Sequence, residues 1–188
     1  ELFMAKKTDF KILSLDPLGQ GVFKKVKEKE ANEAGEHSIY FIPKTLPEEE
    51  GIAVITQEKK NVHFACVEKL TKKSPLRITP KCSHFQQCSS CHYQHVEYEQ
   101  ELDFKVQTLK QLMRKIELQS EIDILPAPKR FEYRNRIQLH YNFKSKLLGF
   151  KNSQTHEIIP VPSCIIVFIS KFTYKLLVHL CRIDIYCF

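Results

Sequence analysis

The chain has 188 residues, of which 43% are hydrophobic and 27% charged, and its formal net charge is +7. This composition excludes an intrinsically disordered chain, and the length allows one full domain or two small ones. An odd number of cysteines (seven) argues against a disulfide framework, and no signal peptide is recognisable, so we expect free thiols in the cytoplasm. The positive charge favours a polyanionic partner.

Residues 9–79 contain five runs rich in β-branched and aromatic residues, separated by turn residues such as those at 16–19. Five strands in about 70 residues predict a small β-barrel of the OB type at residues 5–79. Cys66 falls in one predicted strand and is expected to be a buried small hydrophobic residue. Candidate phosphate contacts in this region are basic side chains, chiefly Lys24, Lys25 and Arg77, together with Lys27, Lys72 and Lys73.

A cysteine loop is predicted at residues 80–95, where Cys82, Cys88 and Cys91 follow the spacing C-x5-C-x2-C. Thiolates this close together can bind one metal centre, and Cys164, in the loop-like segment VPVPSC, offers a fourth ligand. A site of four sulfurs suits either zinc or an iron–sulfur cluster. Zinc stays open from the spacing alone, because nearby histidines could replace a cysteine: His84, His92 and His95.

A single amphipathic helix is predicted at residues 96–120. Apolar residues recur there at intervals of four and three, as on one helical face: Leu102, Val106, Leu109, Met113 and Ile116. Acidic residues precede basic ones along this segment, which suits the helix dipole. We expect a helix that serves packing.

Residues 126–164 are predicted to begin a central β-sheet, with strands at 132–143, 147–151 and 156–161. Between residues 129 and 151 there are seven basic residues and one acidic residue. Basic and aromatic side chains that share a sheet face can bind unstacked RNA bases. A half-buried sheet with a basic outer face is the alternative. The candidate RNA contacts are Arg134, Arg136, His140, Lys144 and Lys146.

The last segment, 165–188, is apolar but is interrupted by charges such as Lys171 and Asp184, which argues against a membrane span. No glycine follows Gly149, so the segment offers no glycine-rich nucleotide loop.

The stretch RITPKCSHFQQCSSCHYQHVEYEQELDFKVQTL resembles the iron–sulfur segment of the RNA (uracil-5)-methyltransferases, in their ribosomal RNA branch. The resemblance extends over about residues 9–164, and it departs from the family pattern C-x5-C-G-G-C at Ser89 and Ser90. It implies an RNA-binding TRAM domain at 5–79 and a [4Fe–4S] cluster on Cys82, Cys88, Cys91 and Cys164. It also implies a central domain along the RNA and a class I methyltransferase domain, and we expect the latter to be missing from this chain.

The expected molecule is therefore an α+β fragment: a TRAM-like barrel, a cluster loop, one helix and the start of a central sheet. The resemblance implies the RNA-binding, cluster-holding amino-terminal portion of an S-adenosylmethionine-dependent ribosomal RNA (uracil-5-)-methyltransferase. We expect it to be a monomer that is inactive alone and has no membrane partner, with 165–188 truncated or out of frame. Two alternatives are a zinc-binding, RNA-binding protein without enzymatic activity and a transfer RNA (uracil-5-)-methyltransferase fragment.

Overall fold

The computed structural model describes residues 6–26, 37–116, 121–152 and 157–168. Within them the chain is α+β, as expected, and it separates into two compact units. The first consists of the described residues of 1–79 and 95–124, and the second of those of 80–94 and 125–188. No helix in the described ranges is long and apolar enough to cross a membrane. The expectation of a truncated or out-of-frame tail at 165–188 falls almost wholly outside the described residues.

The first unit contains a six-stranded sheet in the order β1-β5-β6-β4-β3-β2. Its neighbouring strands are antiparallel except for the parallel pair β4 and β6. Each of the five predicted strand regions contributes to this sheet. The strands are β1 (Lys7–Lys11), β2 (Ser14–Leu15), β3 (Gly21–Val26), β4 (His37–Ile42), β5 (Glu50–Lys59) and β6 (Val62–Lys72).

The sheet differs from the expected five-stranded barrel because the first predicted strand divides in two. The amide of Ile12 donates to the carbonyl of Glu49 at 2.9 Å, and the amide of Leu13 donates to the carbonyl of Val22 at 3.0 Å. The chain thus pairs with β5 through β1 and then, two residues later, with β3 through β2. Among the described residues β1 and β2 do not pair with each other, so the sheet is not a closed barrel.

One face of this sheet supplies the core of the first unit. Phe10, Phe23 and Ile42 are buried there with two small residues, Ala53 and Ala65. The ring of Phe23 stacks on Tyr40 with centroids 4.4 Å apart, and Tyr40 stacks on His63 at 4.5 Å. The alternation of buried and exposed residues along β1 and β3 explains why the sequence predicted strands here.

The turn before β3 contains two glycines, Gly19 and Gly21. Gly19 has φ 77°, a conformation that glycine adopts without steric cost. The side chain of Asp16 accepts hydrogen bonds from the amides of Leu18 and Gln20 at 2.9 and 2.7 Å. A side chain at Gly21 would collide with the hydroxyl of Thr45, so close packing requires the second glycine.

Helix α1 (Tyr98–Arg114) is shorter than the predicted helix at 96–120, and residues 117–120 lie outside the described ranges. Its buried side chain is Phe104, and the half-buried Glu101 and Thr108 lie three and four residues away on the same side. On the predicted apolar face, Leu102, Val106 and Met113 are half-buried. Leu109 and, beyond the end of α1, Ile116 are 45% and 70% exposed.

The second unit contains an antiparallel sheet of three strands, β7 (His140–Asn142), β8 (Leu147–Lys151) and β9 (Ile158–Pro160). The strand predicted at 147–151 is confirmed, and β9 lies within the one predicted at 156–161. The strand predicted at 132–143 is wrong over most of its length, since only its end forms β7. Upstream, Arg134 instead makes an isolated parallel bridge with Val167.

Candidate cysteine site and cationic surface

The four predicted ligand cysteines all belong to the second unit. Cys82, Cys88 and Cys91 lie in the loop of residues 80–94, and Cys164 lies after β9. Cys88 is buried in a small apolar cluster with Phe150 and Val161, and Cys164 packs against the same cluster. The fold therefore brings the distant cysteine to the cluster that holds one of the loop cysteines.

Local hydrogen bonds shape the cysteine loop. The amide of Phe85 donates to the carbonyl of Cys82 at 3.1 Å, and the amide of Cys88 donates to the carbonyl of His84 at 2.8 Å. The hydroxyl of Ser89 donates to the carbonyl of Lys151 at 2.9 Å and thereby ties the loop to the end of β8. A glycine at position 89 could not make this bond. Its partner lies 62 residues away, so no local pattern predicts this bond.

The cysteine thiols influence one another electrostatically. Burial raises the pKa of Cys91, the side chain of Gln94 lowers it, and the other three cysteines raise it further. Burial is also the main cause of the raised pKa of Cys164, which Cys82 and Cys88 raise further. Each of these two thiols thus has other candidate ligands within electrostatic range. In the described part of the chain, however, no group of three or more His, Cys, Asp or Glu side chains is arranged to hold a metal ion.

The three histidines near the loop have different surroundings. His92 is exposed and His84 is half-buried. His95 is fully buried and belongs to the first unit. Burial and the nearby charge of Arg77 lower the pKa of His95 to about 4, although Glu49 opposes the shift. His95 is therefore neutral near pH 7.

Cys66 lies in β6, in the first unit, and is half-buried rather than buried as predicted. It does not belong to the unit that contains the four candidate ligands. This separation makes it a matched control for experiments on the cysteine loop.

Arg77 is not available as a phosphate contact, because its side chain is only 11% exposed and is ion-paired with Glu49, which is fully buried. Its Nη2 also donates to the carbonyl of Lys44 at 2.8 Å. A buried guanidinium that already faces a carboxylate has little capacity for a second anion. We therefore assign Arg77 a structural role, whereas Lys24 and Lys25 are exposed at the end of β3.

The other predicted RNA contacts lie in the second unit. Arg134, Arg136 and His140 line one cleft. Lys144 and Lys146 are exposed in the turn between β7 and β8. The fold thus divides the predicted basic surface into a cleft and an adjoining turn.

The turn between β7 and β8 also exposes an aromatic side chain. Phe143 is 77% exposed, and its ring meets that of Tyr141 edge to face at 4.9 Å. The side chain of Asn142 accepts hydrogen bonds from the amides of Lys144 and Ser145 at 2.9 and 3.1 Å. The turn therefore holds a lysine beside an accessible ring.

Comparison with known proteins gives three informative matches, although no family model matches the chain. The 23S rRNA (uracil(1939)-C(5))-methyltransferase RlmD of Pectobacterium atrosepticum is 30% identical over 165 residues, which is 85% of this chain and 34% of that protein. The protein of the same name from Vibrio vulnificus is 37% identical over 132 residues, or 66% of this chain and 30% of the relative.

Among solved structures, the tRNA (uracil-54, C5)-methyltransferase of Pyrococcus abyssi, in complex with S-adenosyl-L-homocysteine, has a TM-score of 0.53 and 25% sequence identity. The match covers 83% of this chain and 35% of that one. The chain spans about a third of the length of the curated relatives it matches. Both kinds of comparison agree on the same methylation chemistry, and the chain belongs to the RNA (uracil-C5)-methyltransferase family.

Proposed function

We propose that the chain is the RNA-binding portion of an S-adenosylmethionine-dependent 23S ribosomal RNA (uracil-C5)-methyltransferase. The observation that carries this proposal is the similarity to the ribosomal RNA enzymes over 85% of the chain. A transfer RNA substrate is the second candidate, because the solved structure with a similar fold is a tRNA methyltransferase. The RNA substrates of these relatives also support a cytoplasmic location.

Two surfaces are proposed to bind RNA. In the second unit the contacts are Arg134, Arg136, His140, Lys144 and Lys146, of which all but the half-buried His140 are exposed. In the first unit, which we propose to act as a TRAM-like module, they are the exposed Lys24 and Lys25. Exposed cations attract phosphates, and counterions are released when they bind.

We further propose that Cys82, Cys88, Cys91 and Cys164 hold a [4Fe–4S] cluster. The donor chemistry fits, because all four thiols belong to one unit and Cys88 and Cys164 share one apolar cluster. The side chains would have to reorient toward a common centre. Such a cluster would cross-link the cysteine loop to the segment after β9, which is a structural role.

Zinc bound by the same thiols is the alternative at this site, as part of an RNA-binding protein without enzymatic activity. Sulfur ligands suit both zinc and an iron–sulfur cluster, so the donor set does not distinguish them. Analysis of the metal content of the protein distinguishes zinc from an iron–sulfur cluster.

We expect the chain alone to bind RNA without methylating it. The described residues offer no glycine-rich loop for the methyl donor, and no glycine follows Gly149 in the sequence. S-adenosylmethionine is accordingly proposed as a cofactor of the whole enzyme. Transfer of a labelled methyl group from S-adenosylmethionine to unmodified 23S RNA by residues 1–188 would contradict this expectation.

The proposed RNA surface is tested by measuring affinity across a salt series. Arg134→Ala with Arg136→Ala should weaken binding and flatten the salt dependence by about 0.7 log units per log unit of salt for each lost single-strand contact. The matched control is Lys110→Ala with Arg114→Ala, which removes two exposed charges from α1. Equal losses from both pairs would contradict the proposed surface. Tighter binding of transfer RNA than of a 23S fragment would favour the second candidate.

A further inference from the structure

The cleft in the second unit has a volume of about 440 Å³, within the range of small-ligand sites. Its base is apolar, since the buried Phe150 and the half-buried Ile137 line it. Three cationic side chains also line it: Arg134, Arg136 and Lys151. The last of these was not among the residues predicted from the sequence.

The charges of the cleft are all of one sign. None of the described residues that line it is acidic, and Ser90 and Gln138 add neutral hydrogen-bonding groups. Two guanidinium groups, each with planar pairs of N–H donors, match the geometry of phosphate oxygens better than ammonium groups do. The cleft is therefore chemically suited to a phosphate ester that carries an apolar or aromatic part.

Parts of two walls of the cleft are held by hydrogen bonds. The amide of Arg134 donates to the carbonyl of Ile166, and the carbonyl of Arg134 accepts from the amide of Phe168, both at 2.8 Å. The hydroxyl of Ser89 donates to the carbonyl of Lys151 at 2.9 Å. These bonds fix the backbone from which the Arg134 and Lys151 side chains project, so less backbone entropy is lost when a ligand binds.

We propose that this cleft binds one nucleotide of single-stranded RNA. The guanidinium groups of Arg134 and Arg136, with the ammonium group of Lys151, hold the phosphodiester. The ribose and base of that nucleotide lie over Phe150. This inference rests on the proposed RNA-binding function and specifies one binding subsite within it.

The first test is the affinity of the whole chain for a fluorescent single-stranded uridine-containing oligonucleotide, measured anaerobically. Arg136→Gln and Lys151→Gln should each weaken binding roughly tenfold at low salt, as expected for a lost charge-assisted hydrogen bond. The matched control, Lys110→Gln with Arg114→Gln, lies on α1 and should change affinity less than twofold. Because the cleft residues replaced are exposed, melting temperatures should stay unchanged.

The second test does not depend on RNA. Phenylglyoxal modifies accessible arginines, and peptide mass spectrometry locates the product. Uridine monophosphate should slow modification of Arg134 and Arg136 but not of Arg114, and it should do so at lower concentration than inorganic phosphate.

The outcomes separate this inference from the proposed function. If the chain binds RNA and the cleft variants bind as tightly as the unmodified chain, the inference is overturned while the proposed function stands. If the chain binds no RNA, the proposed function fails, and the cleft stands as a nucleotide site only if uridine monophosphate protects its arginines. Equal protection by inorganic phosphate overturns the nucleotide assignment.

Discussion

The guanidinium of Arg77 donates through Nε and Nη2 to both oxygens of the Glu49 carboxylate, and neither group has significant access to water. The same carboxylate accepts hydrogen bonds from the amides of Leu46 and Ser74 at 2.9 and 3.3 Å. The pair therefore joins the segment before β5 to the segment after β6. Immediately after this pair, the amide of Ile78 donates to the carbonyl of His95 at 2.9 Å and closes the base of the cysteine loop.

Glu49→Gln should destabilise the first unit strongly. The substitution removes the charge that faces a buried arginine and leaves that arginine without a counter-charge. Breaking one side of a buried pair typically costs about 3–5 kcal/mol. Urea unfolding measures the change in the free energy of unfolding, and hydrogen exchange of the β5 and β6 amides shows whether these strands are affected.

The matched control for that measurement is Glu68→Gln. Glu68 pairs with Lys7 at 2.6 Å, but both side chains are exposed. Exposed pairs contribute about 1 kcal/mol or less. If the two substitutions lowered the free energy of unfolding by similar amounts, the buried pair would not stabilise the junction of the two segments as we infer.

The stability of the first unit should fall in mild acid because of His95. Its pKa is about 4 in the folded chain, against an ordinary value of 6.5, with Arg77, Glu49 and Lys44 as charged neighbours. As pH falls below 6.5 the unfolded chain takes up the proton first. The contribution of neutral His95 to the free energy of unfolding is therefore complete above pH 6.5. It is lost as the pH falls toward 4, which lowers that free energy by up to about 3 kcal/mol.

The measurement is the free energy of unfolding between pH 7 and 4 for the unmodified chain and for His95→Gln. The variant should show a flatter dependence on pH, because the group that titrates differently in the two states is gone. His92→Gln replaces an exposed histidine and should leave the slope unchanged. An unchanged slope in His95→Gln would show that other groups cause the acid sensitivity.

The alternation of apolar and polar residues in the sequence correctly predicted strands that have one buried face, such as β1 and β3. The same pattern failed over residues 132–139, because alternation reports side-chain character and not the presence of a hydrogen-bonding partner. There the backbone of Arg134 pairs with the segment around Val167, more than 30 residues later. Such a nonlocal pairing cannot be inferred from a periodic pattern.

Anaerobically purified protein should contain about four irons and four sulfides per chain and absorb in the visible range. Cys88→Ser should abolish the absorbance, because it removes a proposed ligand. Iron and acid-labile sulfide analysis measures the content of each variant. Stoichiometric zinc without sulfide would instead support the zinc alternative.

Cys66→Ser is the control for the cluster experiment. Cys66 lies in β6, in the other unit, and is half-buried like three of the four proposed ligands. Its substitution should leave iron, sulfide and visible absorbance unchanged. Loss of colour in both variants would indicate a general effect of substitution rather than ligand removal.

The spacing of Cys82, Cys88 and Cys91 identified a candidate site, and the structure places Cys164 in the same unit. The residue type of Arg77 suggested a phosphate contact, yet its partner Glu49 lies 28 residues earlier and converts it to a structural group. Lys151 was missed because it ends a strand and belongs to no motif. Local sequence indicates which groups are available, whereas burial and long-range pairing determine their roles.

Phe143→Ala should weaken RNA binding in a way that salt does not alter. Its ring is 77% exposed beside Lys144, and base stacking on an aromatic ring contributes roughly 1–3 kcal/mol. Lys144→Gln should instead flatten the salt dependence, because it removes a phosphate contact. Leu112→Ala, at a 43% exposed position on α1, is the apolar control and should have no effect. Affinity at several salt concentrations separates the two contributions, and a salt-dependent loss in Phe143→Ala would argue against stacking at this turn.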